Sequence, residues 1–183
     1  GTTFEGGMRV PMIVRWPGRV PAGEVCDALS ASIDLFPSLA TVCGATVPDD
    51  RVIDGIDLAG VFFGDDSVSA RTHFAYYRGN DLEAVRDRRH KLFVARDREA
   101  CCEVYDLVAD PGETTDIASG RPDVVERLTV FADAVRHDLG DRRLGITGAG
   151  VRPLGRVANP TTLTVFDPDH PYVIAEYDLP ERG

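Results

Sequence analysis

The sequence predicts a protein of α/β class that is α+β within these residues. The last strand and helix of a core come first, followed by an antiparallel sheet of about four strands with one amphipathic helix packed on it. Three observations predict this. Between His73 and Leu107, short runs rich in aromatic and aliphatic residues are broken by turn-forming residues. Pro122–Leu139 repeats apolar residues at helical spacing. Upstream, an alternating stretch ending at Trp16 is followed by a helical one over Ser32–Cys43.

Taken in order, Gly-Thr-Thr-Phe-Glu-Gly-Gly at Gly1–Gly7 reads as a loop. Met8, Val10, Met12, Val14 and Trp16 then alternate with Arg9, Pro11, Ile13 and Arg15, the period of a strand. Pro11 lacks a ladder donor and places that strand at an edge or an irregularity. In Ser32–Cys43, Asp34 is placed to cap a helix and Pro37 falls in its first turn, where a missing N–H is harmless. Leu35, Phe36, Leu39, Ala40 and Val42 give that helix an apolar face, and Gly44 ends it. Asp49–Gly64 is loop-like, with one helical turn over Leu58–Phe63.

The four strands are His73–Arg78, Leu82–Asp87, His90–Ala95 and Glu103–Leu107. In the helix over Pro122–Leu139, Pro122 suits the first position, and Asp123 and Glu126 suit the positive end of the dipole. Val124, Val125, Leu128, Phe131, Ala132, Val135 and Leu139 share one face, and Gly140 stops the helix. The proline- and glycine-rich tail is extended, with one strand over Thr162–Phe166. The organisation is thus 1–70 as the end of a core, 71–144 as a sheet-and-helix subdomain, and 145–183 as a tail.

A net charge of −10 repels phosphate backbones and argues against a nucleic-acid partner. No window carries the apolar run of a membrane span. Opening at Gly1 inside a glycine-rich motif suggests a start within a longer protein. Lys91 is the sole lysine, and with abundant Ala, Val, Asp and Gly this suggests a GC-rich bacterial genome. Cys26, Cys43, Cys101 and Cys102 have no C-x-x-C spacing, and His73, His90, His137 and His170 are scattered, so no zinc site is expected. Cys26 and Cys43 read as small buried hydrophobes, and Cys101-Cys102 as a half-exposed pair.

Several stretches together carry a resemblance. Gly1-Thr-Thr-Phe-Glu-Gly-Gly-Met-Arg-Val-Pro11, continuing to Arg15-Trp-Pro-Gly18, closely resembles the K-G-T-T-x-E-G-G-x-R-x-P…x-W-P-G segment of arylsulfatase-type enzymes. Ser32-Ile-Asp-Leu-Phe-Pro-Ser-Leu39, Asp54-Gly-Ile-Asp-Leu58, and Tyr105-Asp-Leu107 with Asp110-Pro-Gly-Glu113 are similar to later signposts of that family. Ala84-Val-Arg86 and Lys91-Leu92 look like its A-V-R…x-K-L strand pair. Ordered matches at consistent spacing from Gly1 to about Leu139 are far stronger than one short motif. The resemblance implies the alkaline-phosphatase/sulfatase-like architecture: a large mixed sheet, then a smaller C-terminal sheet with a helix.

It also implies sulfuric ester hydrolysis by a formylglycine made from Cys or Ser in a C/S-x-P/A-x-R motif. Calcium is held by hard oxygen ligands, and Lys, Arg and His stabilise the sulfate. None of Cys26, Cys43 or Cys102 begins such a motif. Asp49-Asp50 and Asp65-Asp66 read as solvated loop acids. The family's catalytic lysine falls immediately before Gly1. No catalytic or metal-ligating residue is therefore expected in this chain, and no calcium is expected to be held by it alone. Thr2, Thr3 and Glu5 are expected to help fix the backbone of the missing lysine, and Arg9 to pair with an acid of the core or to form a strand-edge salt bridge. Tyr76, Tyr77, Arg78 and Arg86 are candidates to line the mouth of the substrate cleft. The implied partners are the N-terminal sulfatase core and a sulfate ester. Alternatives are a stand-alone interaction module built from the same layers, or part of a phosphoester hydrolase of the same superfamily.

Overall fold

A four-stranded antiparallel sheet organises the structure, a computed structural model that describes residues 2–64, 71–152 and 158. Strands β1 (Phe74–Arg78), β2 (Asp81–Arg86), β3 (His90–Arg96) and β4 (Glu99–Asp106) pair in sequence order, the meander expected. Val85 opposes Leu92, and Leu92 opposes Val104, so their side chains rise from one face. The register slips between Tyr76 and Tyr77, leaving an extra residue, Glu83, in β2. Everything described below lies in the compact unit Gly1–Val151. The strand expected at Thr162–Phe166 lies outside the described residues.

The long helix α4 (Pro122–Leu139) has the expected bounds, with Pro122 in its first turn and Gly140 after its last. Val124, Leu128, Ala132 and Val135 recur at helical spacing and pack on Leu82, Val85, Leu92 and Val104. Burying each Leu or Val side chain contributes about 1.5–3 kcal/mol, so this layer pair is the principal core. Leu139, expected on the same face, is 41% exposed at the helix end. The opposite face of the sheet presents Tyr76, Ala84, Phe93, Tyr105 and Leu107, and Phe4 packs against them. The rings of Phe4 and Phe93 lie 4.9 Å apart.

Upstream, the structure departs from the sequence-based expectation. Glu5–Gly7, expected as loop, and Met8, expected to open a strand, form one helical turn, α1 (Glu5–Met8). The strand expected over Met8–Trp16 is absent: among the described residues no partner pairs with that stretch. Val10 and Ile13 are 77% and 92% exposed. Alternation prepares one face for burial, but a strand also needs a neighbour to take its N–H and C=O groups.

Helix α2 (Leu35–Val42) follows a 3₁₀ turn over Ser32–Asp34, and α3 spans Ala59–Phe63. Asp34 does not cap α2, contrary to expectation. Its own backbone is already helical, whereas a capping residue needs an extended one. Its carboxylate instead accepts the N–H groups of Ala31 (2.8 Å) and Ile56 (2.9 Å) and the Arg71 guanidinium (2.9 and 2.5 Å). The Ser38 hydroxyl adds a second tie, donating to Asp34 O (2.6 Å) and accepting Leu58 N–H (2.8 Å). Gly55 lets this loop close, because a Cβ there would sit 2.0 Å from the Ile33 carbonyl oxygen. Cys26 and Cys43 are exposed rather than buried, since no second layer covers their segments among the described residues; all four cysteines are unpaired thiols. No helix of the described residues is long and apolar enough to cross a membrane.

Candidate functional site

The segment Thr2–Met8 meets the sheet through a sealed polar cluster. Strand β2 brings Glu83 and Arg86, β3 brings Lys91, β1 brings Tyr76, and the turn after β4 brings Glu113. On β3, Lys91 shares a face with Phe93, and it stands opposite Tyr105 of β4. It is therefore committed to the face that Phe4 covers.

Glu5 is the hub. Its carboxylate accepts hydrogen bonds from Tyr76 Oη (3.0 Å) and Lys91 Nζ (3.1 Å) on one oxygen, and from Arg86 Nη1 (3.0 Å) on the other. Its backbone N–H donates to Glu113 Oε2 at 2.5 Å. Lys91 Nζ also donates to the Thr3 carbonyl (2.5 Å) and makes a charge contact of 2.9 Å with Glu113 Oε1. That ammonium sits 4.3 Å from the Tyr76 ring centroid and 5.0 Å from that of Phe93. Thr3 Oγ1 donates to Glu83 Oε2 at 2.7 Å. The extra residue in β2 lets Glu83 and the neighbouring Ala84 both serve the Thr3–Glu5 side.

Lys91 is fully buried and Glu5 is 4% exposed. Burial, with the Glu5 charge beside it, pushes the Tyr76 phenol well above its ordinary range, so it stays a neutral donor. A substrate cannot reach these groups. What the arrangement does chemically is fix backbone: the Thr3 carbonyl and the Glu5 amide are both held by buried charges.

The sequence-chosen residues fall into distinct settings. Thr3 and Glu5 join in the cluster, with Tyr76 and Arg86 as partners of Glu5. Thr2 is exposed, and Arg9 makes an exposed pair with Asp27 at 3.0 Å. Tyr77 turns to the helix side, donating to Gly140 O at 2.8 Å, and burial pushes its phenol up to about 12. The half-exposed Arg78 pairs with Asp97 at the hairpin end and lies 3.8 Å from Glu83. Sequence reasoning missed Lys91, Glu83 and Glu113 as members of one site. The available signal was the sole lysine of the chain at an inward position of an apolar strand.

A calcium site does not fit the described residues. No group of three or more His, Cys, Asp or Glu side chains among them is arranged to hold an ion. The buried carboxylates of Glu5 and Glu113 already share Lys91 as their cation. Asp50 is exposed and paired with Arg51, and Asp65-Asp66 lies outside the described residues.

The sheet with its single helix on one face, and a glycine-rich segment buckled to its second face, define an α+β layer pair. The family described as N-sulphoglucosamine sulphohydrolase, C-terminal, matches residues 2–131, and the chain belongs to this sulfatase family. It is 32% identical to arylsulfatase G of Rattus norvegicus over 162 residues, covering 76% of this chain and 31% of that protein. It is 50% identical to N-acetylgalactosamine-6-sulfatase of Canis lupus familiaris over 84 residues, covering 46% of this chain and 16% of that one. Among solved structures, it matches a Bacteroides thetaiotaomicron protein from a core genetic locus for metabolism of multiple glycosaminoglycans. That match has a TM-score of 0.65 and 29% identity, over 74% of this chain and 30% of the other. A sulfatase from Pseudoalteromonas sp. gives 0.64 and 25%, over 73% and 30%. The chain thus spans about a third or less of the proteins it matches.

Proposed function

We propose that this chain is the C-terminal part of a sulfuric ester hydrolase cleaving aryl or sugar sulfate esters, and that it is inactive alone. One observation carries the reading. Thr3 and Glu5, from the Gly-Thr-Thr-Phe-Glu-Gly-Gly segment, are held by Arg86, Lys91 and Glu113, each from a different stretch that resembles the family. Motifs scattered along the sequence therefore act together as one support.

In the intact enzyme a preceding core supplies the formylglycine nucleophile, the calcium site and the lysine that comes before Gly1. This chain buttresses the Thr3–Glu5 backbone and the helical turn α1 that follow that lysine. Residues 1–70 complete the core, 71–144 form the supporting subdomain, and 145–183 are its tail. Exposed Val10, Met12, Ile13 and Trp16 supply an apolar face for the core to cover. Of the four cleft candidates, Tyr76 and Arg86 serve by holding Glu5, Tyr77 by holding the end of α4, and Arg78, exposed while paired with Asp97, is the one a substrate can reach.

The test is to express the chain together with its encoded upstream sequence and to assay inorganic sulfate released from aryl sulfates and sulfated monosaccharides. The longer protein is expected to release sulfate, and the 183-residue chain none. Sulfate release by the chain alone, or release of phosphate but not sulfate by the longer protein, would overturn the proposal.

A further inference from the structure

We propose that Lys91 and Glu113 form a latch that positions the Thr3–Gly7 backbone, so that Lys91 is a positioning residue for the reaction although it touches no substrate. The inference rests on the sulfatase reading above for its kinetic consequence, but not for the latch itself.

The first support is that the latch grips backbone. Lys91 Nζ holds the Thr3 carbonyl at 2.5 Å, and Glu113 Oε2 holds the Glu5 N–H at 2.5 Å. These two contacts bracket Phe4 and fix a peptide plane on each side of it. The Lys91–Glu113 contact of 2.9 Å then ties the two grips together. Side chains serving only to fill a core would contact side chains.

The second is the cost of the arrangement. An ammonium ion with no exposed surface is expensive to bury, and an apolar residue of similar volume serves packing as well or better. Glu113 adds a strained backbone, with φ of +54°, unusual for a residue with a side chain. The turn that imposes it is braced by Asp110, whose carboxylate accepts the N–H groups of Thr114 (2.7 Å) and Thr115 (2.8 Å). Such outlay on one point of backbone is what a geometric role requires.

The third is the tightness of the segment held. Gly7 returns over Thr2 so closely that a Cβ would meet the Thr2 carbonyl oxygen at 2.8 Å. A displacement at Thr3 therefore has no slack to absorb it and passes along the chain in both directions.

The experiment uses the longer protein carrying this chain. Lys91→Met/Glu113→Gln removes one charge of each sign and keeps an acceptor for the Glu5 amide, so the buried charges stay balanced. This variant is expected to fold, with kcat lowered about 10- to 100-fold and KM within about threefold of the parent. A folded double variant with unchanged kcat would overturn the proposal. Hydrogen exchange on the parent gives a second readout that needs neither a variant nor activity. The Glu5 amide is expected to exchange as slowly as those of β2 and β3, and exchange at the rate of an exposed loop overturns the latch even if no variant accumulates. A parent that releases no sulfate sinks the functional reading, and the latch then stands or falls on exchange alone.

Discussion

The sheet with α4 and the stretch from Met8 to Gly64 are both rich in apolar residues, yet they use them in opposite ways. In the first, Leu82, Val85, Leu92, Val104, Val124 and Leu128 are almost wholly buried. In the second, Ile13 is 92%, Val25 88% and Phe36 54% exposed, and order comes from polar ties at Asp34 and Ser38. The difference is whether the covering layer lies in the same stretch of chain. A meander followed by an amphipathic helix brings both of its layers, whereas the Met8–Gly64 stretch has no covering layer of its own among the described residues. Between them sits the Glu5 cluster, which buckles the first residues to the self-sufficient part.

The sharpest way to test that division is to break the buckle. Lys91→Met alone leaves Glu5 and Glu113 facing each other without their shared cation. Removing one partner of a buried charge network costs about 3–5 kcal/mol, and urea denaturation is expected to show a loss of that size. Next in size, Leu128→Ala opens a cavity in the principal core and is expected to cost about 2–5 kcal/mol in the same assay. Leu39→Ala, in the other region, should stay within about 0.5 kcal/mol, because Leu39 is 53% exposed. Equal losses at Leu128 and Leu39 would erase the distinction between the two regions.

The same contrast explains how much was legible in the sequence. Helix α4 could be read to its ends because Pro122 and Gly140 bracket a continuous apolar face. Strand β4 begins at Glu99, before the expected Glu103, because Glu99 and Ala100 pair by backbone with Arg96 and Ala95 while both stay exposed, and the register slips across Cys101-Cys102. Hydrogen-bonded pairing leaves no trace in side-chain period when neither face is covered. At Met8–Trp16 the period was present and the pairing partner was not, so the same rule failed in the other direction. The site was half legible. Thr3, Glu5, Tyr76 and Arg86 stood out individually, but the contacts joining Glu5 to Tyr76 and Glu113 span 71 and 108 residues. No local pattern encodes contacts across such distances.

Acid should take the two regions apart in sequence. Burial pushes the Asp34 carboxyl up, but Arg71 and the N–H groups of Ile56 and Ala31 outweigh it and hold the group below its ordinary 3.8. A depressed carboxylate contributes stability that is complete above the unfolded value, near 3.9, and that is lost as pH falls through the folded one. In the sheet, Arg89 beside Asp106 holds that carboxyl at about 2. Trp16, the sole tryptophan, packs beside Phe63 at 6.2 Å and reports on the Met8–Gly64 region. Its emission is expected to change as pH drops below about 4, with the far-ultraviolet signal of the sheet persisting to lower pH. Asp34→Asn should flatten the pH dependence of the tryptophan signal and leave that of the sheet unchanged.

The smallest expected effect discriminates most between a finished surface and an interface. Ile13→Asp, in the 183-residue chain, replaces an exposed side chain that touches little, so its stability should move by no more than about 0.5 kcal/mol. Solubility should rise, because the change breaks an apolar patch and adds charge. In the longer protein the sign of the outcome reverses. If the core covers this stretch, the substitution buries an unpaired carboxylate and should cost several kcal/mol, seen as a lower melting temperature. A neutral result in both contexts would show that Ile13 faces water in the whole molecule. The exposed apolar stretch would then be a surface in its own right, and the contrast between the two regions would no longer depend on a missing layer.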